Sequence, residues 1–450
     1  MKKRVYIAIA VLIAASAAAF LVISKSDAPP KPGAQLSSFD GKVVPQNMLN
    51  VYRLYPEDSV LKIEAPEGYK AVYLAHYGRH GSRYVKYDYQ YDNVEKALHM
   101  ASDSGLLSAT GQKLWKEYSA VYPILRDRKA GLTPLGQEQH KGIAARMASN
   151  FPELFCGEGA KVDVIATPMP RTEMSRDAFC DELALHFPAL DIVKSPARVP
   201  ALNPYSKAGG VASEWDLYWN SEESPSKPSQ RALSESIVDC SAFAARIFSD
   251  PAWAGENIDL YTMMTDLYSI SVGLPGTPAS GVDLCKYMTL DELSACNRVW
   301  NYYAFCGKGH CEQFGSHGRQ WALASYVLED LVEKTVSDIR SGEYNARLRF
   351  GHDGCLMGMY ALLGIMPWGF ETTDSALASQ VWNSSLTPMA CNLQVALYRN
   401  DEGSLLARVL YNEKDFPLPL EKVNGIYYDP QALLDFCRAG LEKARKVLEY

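Results

Sequence analysis

The chain has no surplus of positive charge: 45 Lys and Arg stand against 52 Asp and Glu, for a formal net charge of −7. Nucleic-acid binders carry a basic excess or patch, so that class is set aside. Any anion site must instead be a local gathering of arginines and lysines within an acidic protein. Internal repeats and long low-complexity segments are absent, leaving an ordinary globular chain. Metal-ligand residue types cluster in "CGKGHCEQFGSH", Cys306 to His317, but no second paired cluster completes a zinc site. A short disulfide-closed loop is the preferred reading there. Strand signals are sparse between about 195 and 335.

What is present is ample apolar material. A chain of 450 residues that is 47% hydrophobic and 22% charged can bury a large core, and its length suggests about two to three domains. "MKKR" followed by the uncharged run Val5 to Ser24, with Ala15, Ala17 and Ala19 offering A-x-A sites, reads as a secretory signal over residues 1–24. An uncleaved membrane anchor is the alternative, because the run is close to the ~20 residues that span a bilayer. Either way the bulk of the chain is expected to be exported, periplasmic or extracellular. No cysteine follows this run closely, which argues against a lipid-modified cysteine. The ten cysteines (Cys156, Cys180, Cys240, Cys285, Cys296, Cys306, Cys311, Cys355, Cys391 and Cys437) suit disulfides in such a compartment. Residues 25–45, rich in Pro, Gly and Ser, read as a linker.

Three segments share one pattern of apolar run, charged turn and helical periodicity. They are "KAVYLAHYGRHGSRY", "KVDVIATPMPRTEMSRDAFCDELALHF" and "ARLRFGHDGCLMGMYALLG". The first run is continuously apolar, as for a strand buried on both faces. In the second, Phe179, Cys180, Leu183, Ala184 and Phe187 fall at helical spacing after the prolines. In the third, Leu348 and Phe350 alternate before Leu356, Met359, Tyr360 and Leu363 follow a helix pattern. Such strand–turn–helix units build a parallel α/β sheet, whose ligands bind at the carboxyl ends of the strands. Thr133 and Pro134 mark a further helix start, and Asn400 to Gly403 a hairpin turn. The predicted organisation is an α/β domain in two parts, 46–194 and 336–450, with a mostly helical insertion at 195–335.

Arg79, His80, Arg83, Arg171, His352 and Asp353 all fall on or beside these strand-end turns. Guanidiniums present forked donors that match phosphate or carboxylate oxygens. Among such cations the protonated form of His80 is disfavoured, and a neutral imidazole is a nucleophile. His352 can donate to a phosphoryl oxygen, and Asp353 can protonate a departing alkoxide. Taken singly, each residue has a plainer role as a salt-bridging arginine, a buried histidine or an N-cap. His76 reads as a packed strand histidine, and His99, His140, His186, His310 and His317 as structural.

"RHGSR" followed far downstream by "HD" resembles the histidine acid phosphatase family, branch 2 of the histidine phosphatase superfamily, which includes phytases and multiple inositol polyphosphate phosphatases. "LTPLGQEQ", "ATPMPRTEMSRDAF" and "LARVLYNEKDFPLPL" resemble further family segments. The resemblance implies the phosphoglycerate mutase-like α/β fold, a mostly parallel sheet flanked by helices with a helical domain over the cleft. It implies His80 as phosphate-accepting nucleophile, Asp353 as proton donor, and Arg79, Arg83, Arg171 and His352 as the phosphate cradle. No metal or organic cofactor is implied, and the partner is a small phosphate monoester, with inositol polyphosphates as the alternative substrate class. Two positions depart from the family pattern. Val85 stands where "RHGxRxP" has proline, and His352-Asp353-Gly354 differs both from "HAE" and from "HDTN". A phosphate-ester binding protein without catalysis and a phosphoglycerate-mutase-type enzyme are the remaining rivals.

Overall fold

The structure of the protein is a computed structural model that describes residues 44–57, 60–206, 226–311 and 318–449. The N-terminal signal or anchor, nearly all of the linker and His317 lie outside the described residues.

Among the described residues nine strands form one sheet: β1 (Tyr69–Arg79), β2 (Lys161–Ala166), β3 (Asp191–Lys194), β4 (Ala346–Gly351), β5 (Asn392–Asn400), β6 (Leu405–Tyr411), β7 (Lys414–Asp415), β8 (Lys422–Val423) and β9 (Tyr427–Tyr428). Their order is β3-β2-β4-β1-β5-β6-β9-β8, with β7 paired to β6. β3, β2, β4 and β1 run parallel, whereas β5 lies antiparallel to both β1 and β6. The parallel half thus contains all three strands whose ends carry the charged turns. The expected hairpin joins β5 to β6, with Gly403 in the left-handed region at φ 85.

Between these strands run α1 (Asp88–Asp103), α2 (Ala109–Leu125), α3 (Pro134–Asn150), α4 (Pro170–His186), α5 (Ser226–Ile237), α6 (Cys240–Ile247), α7 (Pro251–Asn257), α8 (Leu260–Gly273), α9 (Leu290–Lys308), α10 (Ser325–Ser341), α11 (Asp353–Leu362), α12 (Ser375–Val381) and α13 (Pro430–Leu448). Thr133 caps α3 by accepting from Gly136 N, with Pro134 in the first turn as its sequence position predicts. α9 opens on a capping box between Thr289 and Glu292.

Strand alternation divides the core in two. Leu74, Val162, Val164, Leu348 and Phe350 face α3 and α4 through Ile143, Met147, Phe179 and Leu183. Tyr73, Ala75 and Tyr77 face the other layer, with α10, α11 and the helices beyond. On that face β4 presents Arg347 and Arg349, the residues between its apolar ones. Arg347 pairs with Asp338 of α10 and with Asp163 of β2, and Arg349 with Asp330 of α10. Buried charges tie the central strand to its helix where apolar contacts would otherwise do so.

α1 and α2, which precede the predicted insertion in sequence, pack against the helices of 240–273. Gln90 and Asn93 donate to Asp266, and Leu107 bridges Phe248. The periodicity of Tyr91, Val94 and Leu98 shows that α1 buries a face. It carries no information about which partner covers that face.

None of the ten cysteines is joined in a disulfide. The nearest approach to the expected disulfides is Cys306–Cys311, both buried, with sulfurs 3.7 Å apart against the ~2.05 Å of an S–S bond. Among the described residues, no three metal-ligating side chains gather to hold an ion, and no helix is long and apolar enough to cross a membrane.

The Arg349–Asp330 pair is nearly sealed, at 1% and 7% side-chain exposure, so removing one partner strands a charge. Asp330→Ala should cost about 3–5 kcal/mol in urea unfolding; a loss under ~1 kcal/mol would show that the pair does not anchor β4.

Candidate functional site

β1 ends at Arg79, and its pairing continues one residue further. His80 N donates to Gly351 O at 3.1 Å, and His80 O accepts from Ala390 N at 3.0 Å. The chain then turns between α3 and α4. Gly81 N donates to Ser175 Oγ of α4 (3.1 Å) and Ser82 N to Gln139 Oε1 of α3 (2.8 Å). Gly81 backs onto the Gly136 carbonyl so closely that a Cβ there would collide with it. Val85, where the family pattern has proline, uses the group a proline lacks: its N–H donates to Tyr91 Oη at 3.2 Å.

β4, between β1 and β2, delivers His352 and Asp353 to the same end of the sheet. His352 is the N-cap of α11, and Asp353 is its first residue. The His80 and His352 rings meet edge to face, with centroids 5.7 Å apart. β2 leads into α4, whose first turn carries Arg171. The three turns flagged by the sequence thus converge, and they bring Arg79, His80, Arg83, Arg171, His352 and Asp353 into one cluster.

Proton positions follow from the partners. His80 Nδ1 lies 2.8 Å from Gly81 O. A carbonyl oxygen only accepts, so Nδ1 carries the proton and Nε2 holds a lone pair. Burial drives the imidazolium form of His80 down, and Arg79, Arg171 and Arg83 push the same way, so its pKa lies well below the ordinary 6.5. His352 is lowered to about 3, first by burial and then by Arg171, with Asp353 opposing. Its Nε2 meets Thr167 Oγ1 at 3.1 Å.

The arginines are held but not saturated. Arg79, fully buried, donates from Nη1 to Val51 O (2.6 Å) and Thr387 O (2.9 Å). Its Nη2 faces Asp353 Oδ2 at 3.2 Å as an ion pair. Arg79 Nε and Nη2 and Arg171 Nε are buried without a hydrogen-bond partner among the described residues. Arg83 donates from Nη1 to Tyr52 Oη (3.0 Å) and Tyr84 O (2.8 Å). Arg171 drops to about 10, through burial and then repulsion from Arg83. Three guanidiniums, two of them with spare buried donors, and one carboxylate beside them form a cradle for an anion. Burial raises the Asp353 pKa, but Arg79 and Arg83 outweigh it and hold the carboxyl below its ordinary value. A quarter of its side chain remains exposed, enough to reach a bound molecule.

Several contributors escaped the sequence. Thr167, at the end of β2, sits between His352 and Thr172 and orients the imidazole. Tyr77 Oη accepts from the His352 backbone N at 3.2 Å and donates to Leu202 O. Thr167 lies within a quoted motif, but its Oγ has no chemistry of its own to flag it. The remaining described histidines stay apart from the cluster. His76 packs between the Phe179 and Phe350 rings, His140 lies against Phe350, and His310 bonds Ala361 O. His99 and His186 pair with glutamates on their own helices.

His76, His140 and His352 each fall from 6.5 to about 3, by burial first. Unfolded, they bind protons below about pH 6.5; folded, they do not until about pH 3. Stability is therefore lost as pH falls through that window, by about 1.4 kcal/mol per histidine and pH unit. In phosphate-free buffer the urea midpoint should drop steadily from pH 7 to 4.5; a midpoint independent of pH would mean these rings titrate normally.

No protein-family model matches the sequence, and no curated protein matches it. Solved structures do match in fold. The multiple inositol polyphosphate phosphatase of Bifidobacterium longum in complex with phosphate superposes with a TM-score of 0.72 at 17% identity, over 88% of this chain and 98% of that one. Its inositol hexasulfate complex gives 0.68 at 16%, over 85% and 96%. The phytase from D. castellii gives 0.64 at 14%, over 90% and 87%. The chain therefore shares the histidine acid phosphatase fold of these phosphatase and phytase structures.

Proposed function

We propose that the protein is a phosphoric monoester hydrolase that works through a phosphohistidine on His80. The observation that carries this reading is an unprotonated His80 Nε2 among three guanidiniums, of which Arg79 and Arg171 keep spare buried donors, with Asp353 beside them. A phosphoryl group seated on Arg79, Arg83, Arg171 and His352 presents its phosphorus to Nε2. The N–P bond forms as the ester P–O bond breaks, and Asp353 gives its proton to the departing oxygen. Asp353, now a carboxylate, takes a proton from water, whose oxygen attacks the phosphohistidine. Phosphate leaves, and His80 recovers its lone pair. The guanidiniums spread the charge of the transferring group in both steps.

Acid operation follows from two shifts. An ordinary histidine would be mostly protonated at pH 5, whereas His80 stays neutral there because its pKa is depressed. Asp353 must be protonated to act as acid, and its free-state pKa lies below 3.8. A bound phosphate anion offsets the arginines that hold it down, so its pKa rises in the complex. Activity should therefore be highest in acid and fall as pH rises toward neutrality; an optimum above neutrality would remove Asp353 from the role of donor.

The N-terminal basic and apolar stretch supports export as part of the same proposal. Within the enzyme class, the inositol hexasulfate held by the Bifidobacterium longum protein favours polyphosphorylated polyols as substrates. Phytate, sugar phosphates and an aryl phosphate, compared at pH 4 to 7, test the substrate class.

His80→Ala should abolish turnover while phosphate binding persists in part; rapid quenching of the wild type should trap an acid-labile phosphoryl group on His80. Substantial residual turnover, or a label on another residue, would refute the nucleophile. Asp353→Asn should slow esters of poor leaving groups by about 10²–10⁴-fold and activated aryl esters far less. An equal loss on both classes would assign Asp353 to phosphate binding.

A further inference from the structure

Arg79 commits Nη1 to two backbone carbonyls, Val51 O and Thr387 O. Its Nε and Nη2 have no hydrogen-bond partner among the described residues. The direction of those spare donors is therefore set by where the two carbonyls stand. Both are placed from the predicted helical insertion. Asn297 and Asn301 lie four residues apart on α9, so they share one face of that helix, and both are buried. Asn301 Oδ1 accepts from Ser384 N (3.1 Å) and Ser384 Oγ (2.6 Å). Ser384 opens the turn that ends at Thr387, whose N donates back to Ser384 O at 3.1 Å. On the other segment, Asn297 Nδ2 donates to Asn47 O at 3.0 Å. Tyr268 of α8 donates its hydroxyl to Met48 O (2.8 Å) and accepts from Asn50 Nδ2 (3.3 Å).

Asn50 is fully buried and stands in the left-handed region at φ 41, which few residues other than glycine and asparagine adopt readily. Its Oδ1 accepts from Tyr52 N at 2.9 Å. That bond turns the backbone so that Val51 O meets Arg79 and Tyr52 Oη meets Arg83. A helical layer that merely covered these turns could do so with apolar side chains. Buried amides are costly unless they are paired, and paired ones fix direction. We propose that Asn50 and Asn301 are positioning residues for the phosphate cradle. They fix the two carbonyls behind Arg79, so that the helical insertion sets the aim of its free donors. Neither touches the substrate. The consequence for turnover rests on the phosphatase reading; the consequence for anion binding does not.

The test is calorimetric binding of inorganic phosphate to wild type, Asn50→Gly, Asn301→Ala, Asn301→Asp and Tyr268→Phe, with thermal unfolding of each. Glycine keeps the left-handed backbone but loses both side-chain bonds. Asn50→Gly should therefore weaken phosphate binding about tenfold, the factor of one charge-assisted contact, at unchanged stoichiometry. Asn301→Ala should do the same, and Asn301→Asp, which keeps the acceptor for Ser384, should recover most of the loss. Tyr268→Phe touches neither arginine, yet it should weaken phosphate too. Combined with Asn50→Gly it should add nothing, because the two act in series. The Asn301 and Tyr268 variants keep the inference testable should Asn50→Gly fail to fold. In turnover, kcat/KM should fall in the same order; phosphate binding in this pattern without any turnover would remove the phosphatase reading and leave this one standing. Variants that lose thermal stability but bind phosphate with wild-type affinity would overturn the proposal and make these asparagines structural. Additive losses in the double variant, or no recovery in Asn301→Asp, would overturn it as well.

Discussion

Three guanidiniums gathered around one imidazole are the constraint on which the rest of the site depends. Arg79, Arg83 and Arg171 repel one another, and among the described residues Asp353 is the counter-charge that stands with them. Two of the three are gripped from behind. Carbonyls of Val51 and Thr387 hold Arg79, and Tyr52 and the Tyr84 carbonyl hold Arg83. The outward donors stay open. Burial first and then these same cations keep His80 from taking a proton, and in the proposed reaction the cations would also attract the phosphoryl group, so binding and nucleophilicity would share one electrostatic origin.

The fold serves this cluster through strand order. β4 lies between β1 and β2, so the turns after three parallel strands meet at one sheet end. His80 is fixed by backbone bonds to Gly351 and Ala390, and His352 by Tyr77 and Thr167. Neither ring relies on a mobile loop for its aim. Helices of two chain segments pack together through Gln90, Asn93 and Asp266, and Lys308 of α9 reaches the edge of the His352-Asp353-Gly354 turn.

Much of this was legible in the residues. The unbroken apolar run of β1, the alternation of Leu348 and Phe350, and the Thr133-Pro134 cap are local signals, and local signals mark elements. Charge at strand ends marked the site, because bunched arginines beside histidine are costly without an anion. Pairings that depend on tertiary approach were not legible. Nothing in the spacing of α1 shows that it packs against Asp266 rather than the sheet. Gly354 departs from a motif in sequence but lies against the Lys308 stem in the structure, and Val85 replaces a proline with an N–H that donates to Tyr91. Thr167 and Tyr77 act by position alone, and their residue types occur everywhere in the chain.

The central claim is that burial and the arginine cluster together keep His80 neutral, with its proton on Nδ1, in acid. Nitrogen-resolved NMR titration of His80 in phosphate-free protein measures that directly. The account predicts an unprotonated Nε2 and a protonated Nδ1 from pH 7 down to the lowest pH at which the protein stays folded. An imidazole that takes up its second proton near the ordinary value of 6.5 would contradict it.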